Sequence, residues 1–387
     1  MIHASNRIKI VHVIADSSLT GGPKHVLGLL KNINTEKFQV FLICPPGYLA
    51  NHTKEIKGIE VTAIPMRSKF DWVAILRLKR KLEQIQAQGF PFTPMIVHSH
   101  GPRAGLFCLF ASPRAVFKVY TEHLYDATYK LPSFISDKIQ RWFLKQILSA
   151  AHTVIAVSDE VKRFLISQRY ARESKVFTVP NGIELEKFDP TSPRLRGTGK
   201  IKENNRHPVI GTIGSLNWKK GHEYLIQAMP IILQKFPLAT LEIIGEGRDR
   251  EKLEFLIARL RLERHVALLG KKENAADFMH HWSVFAFPSL SETFGIVLLE
   301  AFAAGIPVVA TKIGGIKDII TNNKNGILVP SCDSERLAKE IINVLDNPVL
   351  AAKLKRGGLE RVKAFEWKTV IKSIEKIYDE LTGEKNG

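Results

Sequence analysis

Short, largely apolar and β-branched runs recur along the chain, and each is followed by a stretch with helical periodicity. Runs such as Ile8–Ile14 are apolar almost continuously rather than at alternate positions. That pattern belongs to strands covered on both faces, the condition of a parallel sheet. Parallel neighbours need long crossovers, usually helices, so a repeated strand–helix rhythm points to an α/β doubly wound architecture. The expected strands of the first half are Ile8–Ile14, Gln39–Cys44, Ile59–Ile64, Met95–Ser99, Phe117–Tyr120 and Thr153–Val157. Helices are expected over Pro23–Lys31 and Phe70–Gln88.

The rhythm breaks near residue 180. Asn181-Gly182 is a turn signal, and Phe188–Pro208 is rich in Pro, Gly, Arg and Lys, the composition of a linker. A second series follows, with strands expected at Val209–Ile213, Leu241–Ile244, Val266–Leu269, Val284–Phe287, Val308–Thr311 and Gly326–Val329. A last helix, Trp367–Leu381, comes after a charged, glycine-containing stretch at 355–361. The 387 residues suffice for two domains. The boundaries expected are 1–187, with the C-terminal helix 367–387 packing back on it, and 188–366. No low-complexity segment and no repeat with a period of 20–50 residues is present.

Ligands of open parallel sheets sit beyond the carboxyl ends of strands, near helix N-termini. After Val284–Phe287 comes a loop with Glu292, then Phe294, Gly295 and Ile296, then a helix carrying Glu300. Carboxylates accept hydrogen bonds from sugar and ribose hydroxyls, and the amides of a helix start suit a diphosphate. By itself the spacing fits ordinary helix-start and surface acids equally well. Lys220, in a loop between a strand and a helix, is either a solvated lysine beside Lys219 or a counter-charge for an anionic ligand such as a diphosphate. Gly21-Gly22-Pro23 opens the first helix and can offer amides to the same group, or be a plain tight turn. His98, His100 and His123 stand at strand ends, while Asp16 and Glu122 are acids without an assigned role. Gly245-Glu246-Gly247-Arg248-Asp249-Arg250 lacks the third glycine of a dinucleotide fingerprint, which argues against a dehydrogenase.

Ser291-Glu292-Thr293-Phe294-Gly295, Glu300-Ala301 and Gly305-Ile306-Pro307-Val308-Val309-Ala310 resemble the signature of the retaining glycosyltransferases of family four, which have the GT-B fold. Val179-Pro180-Asn181-Gly182-Ile183, Gly214 through Lys220-Gly221, Gly314-Gly315, Asn325-Gly326 and Gly21-Gly22 resemble further landmarks, in order, over nearly the whole length. The resemblance implies two Rossmann-like domains facing a central cleft, the first for the acceptor and the second for a nucleotide-diphosphate sugar. It implies His123, Lys220 and Glu292 as catalytic residues. It implies Gly21, Gly22, Gly214, Ser215, Lys220, Phe294, Gly295, Ile296 and Glu300 as donor-binding residues. The family usually carries an arginine where this chain has Ser215, and Arg248 is a candidate to replace its charge. No carboxylate pair of the DxD kind appears, so neither a metal nor another cofactor is expected. A nucleotide-sugar epimerase of the same architecture is the alternative enzyme.

The formal charge is +18. Residues 1–185 carry 25 Lys and Arg against 13 Asp and Glu, a net of +12, and residues 186–387 carry 31 against 25, a net of +6. Such an excess suits phosphorylated ligands, anionic lipid or nucleic acid, or is merely a basic soluble face. No module with clustered bases and aromatics is evident, so nucleic acid is not an expected partner and a non-enzymatic anion-binding role is the weaker alternative. Arg77, Lys79, Arg80 and Lys81 accompany Phe70, Trp72, Val73, Ile75 and Leu76. This fits a basic amphipathic helix on an anionic membrane, with a sugar or lipid-linked acceptor for cell-envelope synthesis, and equally a sheet-covering helix with a charged outer face. Three scattered cysteines, Cys44, Cys108 and Cys332, indicate no disulfide framework and no zinc site. The N-terminus does not read as a signal peptide and no run is long enough to span a bilayer. The expected location is cytoplasmic, in part peripheral on the inner face of the membrane.

Overall fold

The computed structural model describes residues 7–383 apart from 19, 69, 90–92, 124, 126–133, 189–206, 273 and 275. Most of the expected linker, residues 189–206, lies outside the described residues. The chain forms two compact units, one of Met1–Gly182 with Trp367–Gly387, the other of Ile183–Glu366.

The strands of unit 1 are β1 (Ile8–Ile14), β2 (Phe38–Cys44), β3 (Ile59–Ala63), β4 (Met95–His100), β5 (Phe117–Glu122), β6 (Thr153–Ala156) and β7 (Val176–Thr178). They form one parallel sheet in the order β3-β2-β1-β4-β5-β6-β7. Alternate side chains point to opposite faces, so each strand feeds two cores. Ile8, Ile10, Val40, Leu42 and Ile96 pack with the helices Gly21–Asn32 and Trp367–Thr382. Val11, Val13, Phe41, Ile43 and Val97 pack on the other face with the helices Trp72–Ala87 and Gly101–Ala111. Asp71 caps the third of these helices by accepting from the Ala74 amide at 3.0 Å.

The C-terminal helix is held through Trp367, which is buried against two glycines. A Cβ on Gly28 would lie 2.3 Å from its ring and one on Gly182 2.4 Å, so both positions admit no side chain.

Unit 2 holds β8 (Val209–Ile213), β9 (Thr240–Ile244), β10 (Val266–Gly270), β11 (Val284–Phe287), β12 (Val308–Thr311) and β13 (Ile327–Val329). Its sheet is parallel, in the order β10-β9-β8-β11-β12-β13. Ile210, Leu241, Ile243, Val284, Ala286 and Val309 build its core with the helices His222–Lys235 and Ser334–Asp346.

The charged, glycine-containing stretch at 355–361 is part of the helix Pro348–Val362. Gly357 and Gly358 serve close approach there. Cβ atoms on them would lie 2.1 Å from the Lys324 carbonyl oxygen and 2.7 Å from the Phe302 ring. Glycine costs a helix about 1 kcal/mol relative to alanine, which packing of this kind offsets. Among the described residues no helix is long and apolar enough to cross a membrane.

Candidate functional site

In unit 2 the strand order reverses between β8 and β11, which are neighbours. Crevices at such a switch point are where doubly wound sheets bind ligands. The loop after β8 begins at Gly214, whose amide donates to the Ile244 carbonyl at 3.0 Å. Asn217 then folds it into a single tight turn, Trp218–Lys220, by accepting from the Lys219 amide at 3.1 Å. Gly221 ends that turn with φ +61°, and a Cβ on it would lie 2.1 Å from the Pro288 carbonyl oxygen. Only glycine lets this loop approach the one after β11 so closely. The Leu290 amide donates to the Lys219 carbonyl at 2.7 Å and ties the two loops together.

That contact brings Lys220 to Glu292. The ammonium donates to Glu292 Oε2 and lies 5.4 Å from the centre of the Phe287 ring. Both side chains of the pair are largely sheltered, 22% and 14% exposed. The Gly315 amide donates to the Glu292 carbonyl at 3.0 Å, so the loop after β12 braces the same segment. Next come buried Phe294, stacked edge-on against Phe365, and Gly295 at φ +96°. Ile296 opens the helix Ile296–Ala303, and half-buried Glu300 lies one turn in. Thus Gly214, Ser215, Lys220, Glu292, Phe294, Gly295, Ile296 and Glu300 gather at one sheet edge. Ser215 is exposed and its hydroxyl accepts from Asn217 Nδ2 at 2.7 Å. Arg248 is 69% exposed beside Asp249, on the loop after β9.

Gly21, Gly22 and His123 belong to unit 1. The two glycines open the helix Gly21–Asn32, after a turn in which Asp16 accepts from the Ser18 amide and the Thr20 hydroxyl, each at 2.9 Å. Asp16 thus shapes that turn. Glu122 is buried and held by Tyr120 Oη at 2.7 Å and the Tyr125 amide at 3.0 Å. His123 follows β5 directly, with its Nε2 3.4 Å from His100 Nδ1. Burial pushes its ring down to about 4, so it is a neutral imidazole at pH 7.

Sequence reasoning passed over His222, His12 and His25. His222 is buried under the Gly214 turn, and burial drives its ring down to about 4. Its place directly after Lys220-Gly221 was the available signal. His12 and His25 join the His98–His100–His123 group only through sheet register and helix packing, which no local pattern announces.

Comparison with known proteins bears on the family and the fold. Residues 19–187 match the family described as Glycosyltransferase Family 4, and residues 197–361 match Glycosyl transferases group 1. A phosphatidyl-myo-inositol mannosyltransferase of Mycobacterium tuberculosis is 28% identical over 375 residues, 94% of each chain. An uncharacterised glycosyltransferase of Methanocaldococcus jannaschii is 26% identical over 92% of this chain and 94% of its own. Anabaena HepE, solved with UDP-glucose, superposes with a TM-score of 0.80 at 21% identity, over 97% of this chain and 100% of that one. The chain belongs to the family-four, group 1 glycosyltransferases, with the GT-B fold.

Proposed function

We propose that this glycosyltransferase takes its sugar from a nucleoside-diphosphate sugar bound at the switch point of unit 2, and that it retains the anomeric configuration without a metal at the diphosphate. The observation that carries this reading is the Lys220–Glu292 pair beside the helix start at Gly295. When the donor binds, the ammonium turns to the diphosphate and neutralises the charge that develops on the leaving oxygen. The amides of Phe294, Gly295 and Ile296 share that charge at the helix start. The lysine and these amides do the work that a cation does elsewhere. Glu292, released from Lys220, accepts hydrogen bonds from the transferred sugar, and Glu300 does so from the ribose. Gly214 and Ser215 line the phosphate loop. In unit 1, Gly21 and Gly22 offer amides and His123 a neutral ring, the groups that the family resemblance assigns to the diphosphate and the sugar.

The acceptor we assign is lipid-linked, met on the cytoplasmic side of an anionic membrane. Unit 1 exposes an aromatic patch that supports this. Trp72 lies 5.6 Å from Phe110, Phe70 lies 5.5 Å from Phe143, and Trp142 lies 4.9 Å from Phe143. Trp72, Val73 and Leu76 are all more than half exposed, unusual for apolar residues one turn apart. Arg77, Lys79 and Arg80 project from the same helix. The Mycobacterium relative is named for a phosphatidylinositol acceptor. A thermal-shift screen across UDP-, GDP- and ADP-sugars tests the donor reading, because a bound donor raises the melting temperature. One nucleotide class should stand out with no divalent ion added, and a flat response across the panel would overturn the assignment.

A further inference from the structure

Unit 1 gathers five histidines at and near the carboxyl edge of its sheet, where its own strand order reverses between β1 and β4. They are His12 in β1, His98 and His100 in β4, His123 after β5, and His25 in the helix Gly21–Asn32. Their contacts give them different places. His98 has both ring nitrogens engaged, Nδ1 with Tyr378 Oη at 2.6 Å and Nε2 with Thr121 Oγ1 at 2.7 Å, and so serves as a bolt between strand and C-terminal helix. His25, His100 and His123 are different. One ring nitrogen of each lies within 4.8 Å of those of the other two. His25 Nδ1 is buried and has no hydrogen-bond partner.

We propose that His25, His100 and His123 form a binding site for one divalent transition-metal ion of the imidazole-preferring kind, with Zn2+ as the type case. Zinc–imidazole bonds of about 2.0–2.1 Å in tetrahedral geometry place ligand nitrogens about 3.3–3.4 Å apart. His100 Nδ1 and His123 Nε2 are 3.4 Å apart. That is long for a hydrogen bond and right for two lone pairs directed at one ion. Closing the His25 nitrogen onto them takes a side-chain adjustment of the order of 1 Å, from within 4.8 Å to the zinc-ligand spacing. Burial holds all three rings in the neutral form that metals require. His12 supplies outer support, because His100 Nε2 lies 3.1 Å from His12 Nδ1 and can donate to it, which leaves His100 Nδ1 bare for the ion. An all-imidazole set selects Zn2+, Co2+, Ni2+ or Cu2+ over Mg2+ and Ca2+. Half-buried His123 marks the open side, where water or an anionic oxygen completes the shell.

This site does not depend on the donor reading. It has a consequence for that reading, because an ion there withdraws the His123 ring from any sugar and should slow transfer. The test uses the full chain, freed of metal by a chelator and titrated with Co2+. One Co2+ per chain should bind with the visible absorption of a tetrahedral site, and Zn2+ should displace it. His25→Gln and His100→Gln should abolish that absorption, while His12→Gln should weaken binding by about 10–100-fold. X-ray absorption at the zinc edge of the loaded wild-type protein should count three imidazoles, a readout that requires no variant to fold. Absence of stoichiometric Co2+ uptake, uptake that survives His25→Gln, or a zinc shell with fewer than three imidazoles would overturn the site. The nucleotide-sugar melting shift, measured with chelator present, reports on the donor site separately.

Discussion

Lys220 and Glu292 reach each other from opposite sides of the strand-order reversal, and neither has a closer charged partner among the described contacts at that edge. A sheltered pair of this kind costs desolvation that its mutual attraction only partly repays, which favours a role in binding over one in stability. Lys220→Ala should lower kcat/KM by about 10²–10³-fold, the effect of removing one preorganised electrostatic group, and near-normal kinetics would dismiss the leaving-group role. Glu300→Gln should weaken binding of the free nucleotide, whereas Glu292→Gln should chiefly lower turnover of the intact donor. Because Lys220 and Glu292 touch, the double variant should cost less than the two single losses combined. Wild-type kinetics in both carboxylate variants would return these residues to ordinary surface acids.

At the scale of elements, the buried histidines make the sheet edge of unit 1 sensitive to acid. Burial carries His12 down to about 3 and His123 to about 4, and carries His25, His98 and His100 well below their ordinary value. Below about 6.5 the unfolded chain therefore binds protons that the folded one refuses, so stability is full above that pH and falls as pH drops toward about 4. Each such histidine contributes up to about 1.4 kcal/mol per pH unit across that window. The urea midpoint should accordingly drop steeply between pH 7 and pH 5, and a flat midpoint would mean that the rings protonate without unfolding. The elements themselves were largely legible. Strands β8, β11 and β12 have the bounds expected from their apolar runs, because a strand buried on both faces leaves an uninterrupted signal. Three-residue β7 was not read, being too short for any period, and no helix was assigned over Pro348–Val362, where Gly357 and Gly358 serve close backbone approach. The residues that gather at the β8–β11 edge were legible because they sit on short contiguous motifs. The histidine group was only half legible, since the His12↔His98 pairing depends on a register between strands more than 80 residues apart.

For the molecule as a whole, the charge is lopsided, and a cluster of exposed apolar residues falls on the same side of that imbalance. Residues 1–185 carry +12 of the +18, and the patch of Phe70, Trp72, Val73, Leu76, Phe110 and Trp142 lies within them. An aromatic patch alone is an aggregation liability, and a basic helix alone is a solubilising face. Together they match an interfacial surface, aromatics entering the headgroup boundary while bases meet anionic lipid. Each base near such a surface contributes about 1 kcal/mol, so under the proposed lipid-linked acceptor Arg77, Lys79, Arg80 and Lys81 would supply reversible attachment, in keeping with release of a lipid product. Liposome co-sedimentation decides the matter. Binding should require anionic lipid, fall as salt is raised, and weaken when the four bases become Ser. Trp72→Ser should weaken it too, while leaving the salt dependence intact, because it removes insertion rather than charge. Equal sedimentation with neutral and anionic vesicles, or none with either, would assign the acceptor to the soluble phase and leave the patch to another partner.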